Sequence, residues 1–228
     1  MVGSLPNAAT AVPAPARDPL AFTLAILAWS GVILQLWLSL RLAQTNGKSL
    51  AAGVAVFLGY FTVLTNIFVC LVLTLRALPA PGRVGRFFAW PQTLACAATS
   101  IVLVGLGYHF LLRDIWNPQG LQWLADMLLH YVVPVVFCLY WLIVLPKSTL
   151  PFWSPLAWCV YPIIYFICAL LRGAAGGAYP YPFIDVTAIG YSQVLQNGIA
   201  LLLAYLAVGW LLLALCRSVG RIKSRLSA

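Results

Sequence analysis

Apolar residues dominate this chain in long runs, and most polar positions fall between the runs rather than within them. Six runs approach or exceed the ~20 residues that a helix needs to cross a hydrocarbon core of ~30 Å. They extend from Leu20 to Leu42, Ala52 to Leu78, Phe87 to Leu112, Trp123 to Leu145, Phe152 to Leu171 and Gln193 to Cys216. The pattern predicts an all-α protein, an integral membrane bundle of six transmembrane helices. Before the first run, "MVGSLPNAATAVPAPARDP" is rich in Pro, Ala and small residues and reads as a flexible N-terminal arm over 1–19. The first run is longer than a signal-peptide core and ends in Arg41, which predicts a retained membrane helix. The bundle occupies 20–217, and 218–228 form a basic tail.

Composition sharpens this reading. Of 228 residues, 63% are hydrophobic and 7% charged, a balance that a water-soluble domain of this length cannot hide behind a polar surface. The net charge of +9 does not point to nucleic acid, because the basic residues flank membrane runs instead of forming an aromatic-interleaved patch. They report orientation. Arg17, Arg76, Arg83, Arg86, Lys147, Arg217, Arg221, Lys223 and Arg225 make nine on one side, against Arg41, Lys48, Arg113 and Arg172, four, on the other. The positive-inside bias predicts both termini in the cytoplasm. All six cysteines lie inside apolar runs without CxxC spacing, so they predict neither a disulfide framework nor a zinc site.

Polar groups at hydrocarbon depth must find partners inside the bundle, as packing devices or as parts of a site. Few exist here: Thr62, Thr65 and Asn66 in the second run, Asp126 and His130 in the fourth, Gln193, Gln196 and Asn197 at the sixth, and His109 with Arg113 at the end of the third. Counted along straight helices, Thr62 lies roughly 15 Å and His130 roughly 11 Å from the same membrane face. That spacing permits one polar cluster in the outer half. Two readings stand for each residue. Thr62 either back-bonds to its own helix, the usual habit of intramembrane Thr, or belongs to a site with Thr65 and Asn66 on its face. His130 is either a neutral ring tied to a neighbouring helix or a functional group, and Asp126 either orients it or is solvated at the helix end.

The stretch "LRGAAGGAYPYPFID", Leu171 to Asp185, combines a glycine-rich half with alternating Tyr and Pro. Composition favours a plain aromatic anchor at the interface over a lid. No GxSxG elbow, HExxH or phosphate-cradling glycine loop occurs, and two histidines with four acidic residues make a catalytic zinc site unsupported. A bis-histidine haem would need His109 and His130 at mismatched depths. No metal and no cofactor is expected.

Three motifs carry a resemblance: "YFTVLTN" in the second run, "LLHYVVPVVF" in the fourth and "YPYPFID" before the sixth. In their order and spacing, from about Leu20 to Leu213, they resemble the androgen-induced family of six-pass membrane proteins and its bacterial relatives. Animal members of that family are hydrolases of fatty-acid esters of hydroxy fatty acids. The resemblance implies a nucleophile at Thr62, where "YFT" matches the aromatic-x-Thr pattern, a general base at His130, and Thr65 as a neighbour. Two departures bear on the substrate: "TN" stands where animal members tend to have an acidic residue, and Pro134 is one position closer to the histidine. Asn66, Asn197, Arg113 and the Tyr181 hydroxyl are the candidate oxyanion donors. The resemblance thus implies an intramembrane threonine hydrolase in a bacterial cell membrane, with a lipid ester as substrate and membrane lipids as its surroundings. The competing reading is a small transporter or lipid-binding protein with a non-catalytic polar pocket.

Overall fold

The computed structural model describes residues 18–78, 80–144 and 150–226, with side chains described up to residue 219. The arm expected over 1–19, with Arg17, lies outside the described residues except for Asp18 and Pro19; so do Lys147, Leu145 and the side chains of Arg221, Lys223 and Arg225.

Every described regular element is helical. The helices are α1 (Pro19–Thr45), α2 (Leu50–Phe57), α3 (Phe61–Ala77), α4 (Gly82–Ala89), α5 (Pro91–Gly107), α6 (Leu121–Met127), α7 (Val133–Val144), α8 (Ser154–Trp158), α9 (Val160–Ala174) and α10 (Val186–Leu226). A π-helical turn at Tyr108–Leu112 prolongs α5, a second at Leu128–Val132 joins α6 to α7, and a short 3₁₀ turn spans Pro182–Ile184. Five helical bodies are long and apolar enough to cross a membrane: Pro19–Thr45, Pro91–Leu112, Leu121–Val144, Ser154–Ala174 and Val186–Val219. This is a multi-pass membrane architecture.

The second predicted run behaves differently. α2 and α3 pass the same test only as a pair, and they are bent by 81° across Leu58–Tyr60. Thr62 therefore stands at the start of α3, and the depth counted along a straight helix from Ala52 does not apply. Two other boundaries move as well. The run from Phe87 divides at Trp90, so α4 is separate from α5. α10 extends past Cys216 through the expected tail to Leu226, and it is interrupted at Gly190, whose φ of 75° and ψ of 161° are open to a residue without Cβ.

Helix ends carry sequence-encoded caps. The Asp18 carboxylate accepts from the Ala21 N–H at 3.0 Å with Pro19 following it, and the Ser49 hydroxyl accepts from Ala52 at 3.2 Å. In the interior, α5 is the best buried body; Ala95, Ala97, Ala98, Thr99, Ser100 and Ile101 are closed to solvent. Small residues let backbones approach, which is how helices associate without a hydrophobic drive between them. A Cβ at Gly105 would lie 3.0 Å from the His130 carbonyl oxygen, and one at Gly31 3.1 Å from Leu128 Cβ, so α5 and α1 both crowd the second π turn.

One face of the bundle carries the connections 46–49, 113–120 and 175–185. On the opposite face, the Tyr140 hydroxyl donates to Asp18 Oδ2 at 2.7 Å and accepts from Arg76 Nε at 2.6 Å, tying α1, α3 and α7 together.

Candidate functional site

The site begins with the break between α2 and α3. Tyr60, the N-cap of α3, is extended at ψ 132° and offers no side-chain cap, so the N–H groups of Phe61, Thr62 and Val63 have no partner within their helix. The first intrahelical bond runs from Leu64 N–H to the Tyr60 carbonyl. Tyrosines from distant elements close the gap. The Tyr181 hydroxyl, from the α9–α10 connection, accepts from the Thr62 N–H at 3.2 Å and lies 3.3 Å from Thr62 Oγ1. The Tyr165 hydroxyl of α9 donates to the Gly59 carbonyl at 3.0 Å. Arg172, also of α9, donates to the carbonyls of Ala55 and Ala178 and covers Gly59 so closely that any Cβ there would collide with its guanidinium.

This break decides what the Thr62 hydroxyl does. Thr23, Thr45, Thr74, Thr99 and Ser100 all donate to the carbonyl four residues earlier. Thr62, second in its helix, has no such helical carbonyl, and its hydroxyl turns to Tyr181. Burial pushes the Tyr181 phenol up, so it stays protonated and available as a donor. The helix N-terminus adds a partial positive charge beside the same oxygen.

Thr62 and Tyr181 open into a cavity of ≈ 250 Å³ whose other walls are almost wholly apolar, including Tyr108, Leu111, Phe166, Ile184 and Leu195. The expectation of a plain interfacial anchor for Tyr179–Phe183 is not met: Tyr181 is buried, stacks on Phe183 at 5.0 Å and meets Tyr60 edge-on, so the connection roofs the cavity.

His130 occupies the second π turn, a helix defect that often accompanies function. Its Nδ1 lies 3.0 Å from the Asp126 carbonyl oxygen and 3.3 Å from Asp126 Oδ1. A carbonyl can only accept, so Nδ1 carries a proton, and in the neutral ring the lone pair is then on Nε2. Asp126 is 5% exposed, which answers the question of its solvation: it is enclosed, with the imidazole as its neighbour. Tyr108, from the first π turn, stacks on the imidazole at 4.1 Å, meets Tyr131 edge-on at 5.5 Å and also lines the cavity.

Asn66 joins the two halves. Its amide nitrogen donates to the Thr62 carbonyl at 2.8 Å and to the Leu129 carbonyl at 3.2 Å, so those oxygens lie no more than 6.0 Å apart. The peptide groups bearing Thr62 and preceding His130 are thus neighbours. Asn66 Oδ1 is buried without a partner. Thr62 and His130 themselves are not hydrogen-bonded to one another; their link runs through Asn66 and past Tyr108.

The remaining candidates are engaged elsewhere. Thr65 Oγ1 pairs with the Tyr161 hydroxyl at 3.1 Å. Arg113 donates to Asp114 and to His109 Nε2, and His109 Nδ1 meets the Tyr131 hydroxyl at 3.2 Å, so both nitrogens of that ring are engaged. Asn197 donates to the Phe183 carbonyl at 2.9 Å and accepts from Gln193, bracing the roof. Neither Arg113 nor Asn197 hydrogen-bonds to Thr62 among the described residues. Sequence reading missed Tyr108, Tyr165 and Arg172. The one signal within reach was Gly59 in the middle of an apolar run, which marks a break or a close approach.

No family model, curated protein or solved structure matches the chain.

Proposed function

We propose that the chain is a membrane-embedded hydrolase of lipid esters, with Thr62 as nucleophile and His130 as general base. The face carrying the 175–185 connection is the outer one, by the nine-to-four distribution of basic residues, so both termini are cytoplasmic. That the bilayer is a bacterial cell membrane comes from the resemblance to bacterial relatives of the androgen-induced family. The observation that carries the reading is a threonine hydroxyl free of its own helix, at a helix N-terminus, lining an apolar cavity.

The chemistry follows from the residues. His130 Nε2 takes the Thr62 hydroxyl proton as Oγ1 attacks the ester carbonyl. The tetrahedral oxyanion is stabilised by the Tyr181 hydroxyl and by N–H groups of the first turn of α3, which have no partner within their own helix and of which that of Thr62 rests on Tyr181 until the charge develops. Collapse expels the alcohol, which leaves with the proton from His130. Water then attacks the acyl-threonine with His130 as base, releasing the acid and restoring the Thr62 hydroxyl. Asp126 and its main-chain carbonyl hold the ring with Nδ1 protonated through both steps. The substrate class, a fatty-acid ester of a hydroxy fatty acid, comes from the resemblance of "YFTVLTN", "LLHYVVPVVF" and "YPYPFID" to the androgen-induced family.

Covalent labelling by a fluorophosphonate probe tests the assignment: the wild type labels, and Thr62→Ala and His130→Ala do not. Labelling retained by both variants overturns it. A second reading, a lipid-binding protein that cleaves nothing, draws on the absence of a direct Thr62–His130 hydrogen bond. It would be favoured if the purified protein carried intact lipid and Thr62→Ala changed affinity alone.

A further inference from the structure

α5 and α10 form a fork. They are pinned where the Ser100 and Tyr205 hydroxyls meet at 3.1 Å, and they lie close again where Gly209 faces Thr99. Beyond that point, toward the face of the 175–185 connection, no hydrogen bond joins them among the described residues. The Thr62 cavity lies on the α9 side of the fork, where outward-facing Leu195 and Ile199 also border it. On the other, outer side runs a second groove of ≈ 360 Å³, lined by Leu106, Phe110, Asn197, Ala200, Ala204 and Val208. The two spaces share Leu103, Gly107, Leu111, Phe183 and Leu201 as common walls.

We infer that this outer groove is a second binding site, for one long unbranched acyl chain, which reaches the Thr62 cavity from the bilayer across Gly107. Three observations carry it. The groove opens between residues that face outward, with Phe110 73% and Leu106 42% exposed, on helices that cross the membrane, so hydrocarbon is the medium at its mouth. Its floor of Gly107, Ala200 and Ala204 is low between larger flanks, and from Asn197 to Val208 it follows the helix axis for ~16 Å, over half of a ~30 Å hydrocarbon core. Gly107 has ordinary helical angles, φ −61° and ψ −43°, and a Cβ there meets nothing within 4 Å; neither backbone conformation nor close packing demands glycine. Its missing side chain leaves an open junction between groove and cavity. Phe183, stacked on Tyr181 and held by Asn197 through its carbonyl, stands beside that junction. That the chain ends in an ester rests on the hydrolase reading; the groove itself does not.

The test uses the full-length protein in lipid nanodiscs with a long-chain fatty acid bearing a mid-chain diazirine, and adducts mapped by mass spectrometry. Wild type is expected to concentrate adducts on Leu106, Phe110 and Ala204, above equally outward-facing Ile33, Val135 and Leu171. Gly107→Phe is expected to lower the adducts on residues lining the Thr62 cavity by about tenfold or more, while Gly107→Ala keeps them. Ala204→Phe, which narrows the groove from the other helix, serves as the second variant should Gly107→Phe fail to fold. Adducts spread evenly over all outward-facing helices, or unchanged in the two Phe variants, overturn the inference. Concentrated adducts in a protein that no fluorophosphonate labels leave the groove standing and remove the hydrolase.

Discussion

Replacing Tyr181 by Phe isolates one hydroxyl. The ring remains, with its 5.0 Å stack on Phe183 and its edge contact to Tyr60, so the roof over the cavity stays packed. Two interactions disappear: the acceptor for the Thr62 N–H at 3.2 Å and the neighbour of Thr62 Oγ1 at 3.3 Å. Thr62 is only 8% exposed, so its N–H is left without water, and an unsatisfied buried donor costs about 1–3 kcal/mol. For a chain of this size that lowers Tm by roughly 2–12 °C. Catalysis should respond more strongly. A preorganised donor aimed at the oxyanion is worth roughly 10²–10³ in kcat, and its ground-state contribution is small, so KM should stay near the wild-type value. Steady-state kinetics on a long-chain ester in nanodiscs, beside a melting curve of the same preparation, separates the two effects. A Tyr181→Phe variant that melts earlier as calculated but retains kcat within about threefold would show that the hydroxyl only caps the helix, and the oxyanion argument would fall.

Asp126→Asn should slow turnover by less than about 10²-fold, and less than His130→Ala, because the main-chain carbonyl of residue 126 still holds Nδ1 at 3.0 Å after the carboxylate is gone. Equal losses in kcat for the two variants would mean that the carboxylate does more than orient. At the start of α10, Asp185 accepts from the Thr187 hydroxyl at 2.6 Å and from the Thr187 and Ala188 N–H groups. These bonds, the hydroxyl first, hold its carboxyl below the ordinary value of 3.8. A carboxyl depressed on folding stabilises fully above that ordinary value and loses its contribution as pH falls below it. The difference in Tm between wild type and Asp185→Ala should therefore be constant down to about pH 4 and shrink below that; a constant difference down to about pH 3 would contradict the cap.

Much of the fold was legible along the chain because a bilayer imposes a length on any helix that crosses it. The runs from Leu20, Trp123 and Phe152 each became a helical body long and apolar enough to cross a membrane, with boundaries close to those expected, and the caps at Asp18 and Ser49 were written locally. Where the expectation slipped, hydropathy was the wrong guide. The run from Ala52 to Leu78 is uniformly apolar across Gly59, yet the backbone turns by 81° there. Its orphaned carbonyl and N–H groups are satisfied by Tyr165 and Tyr181, more than a hundred positions away, and no local pattern announces partners at that distance.

By itself, the sequence determined that this chain is a membrane bundle and which few polar side chains would have to be housed inside it, since each costs too much to leave in hydrocarbon unpaired. Tertiary structure decided what they do. A straight helix would have bound the Thr62 hydroxyl to its own backbone; only a break held open by α9 and the α9–α10 connection sets it free. In the same way, Asn66 became a bridge between Thr62 and the turn of His130 through a Leu129 carbonyl that carries no sequence signal. Hydrophobicity fixes where a segment resides, but which polar atoms meet depends on how the segments cross, and that is set by packing between residues far apart in the chain.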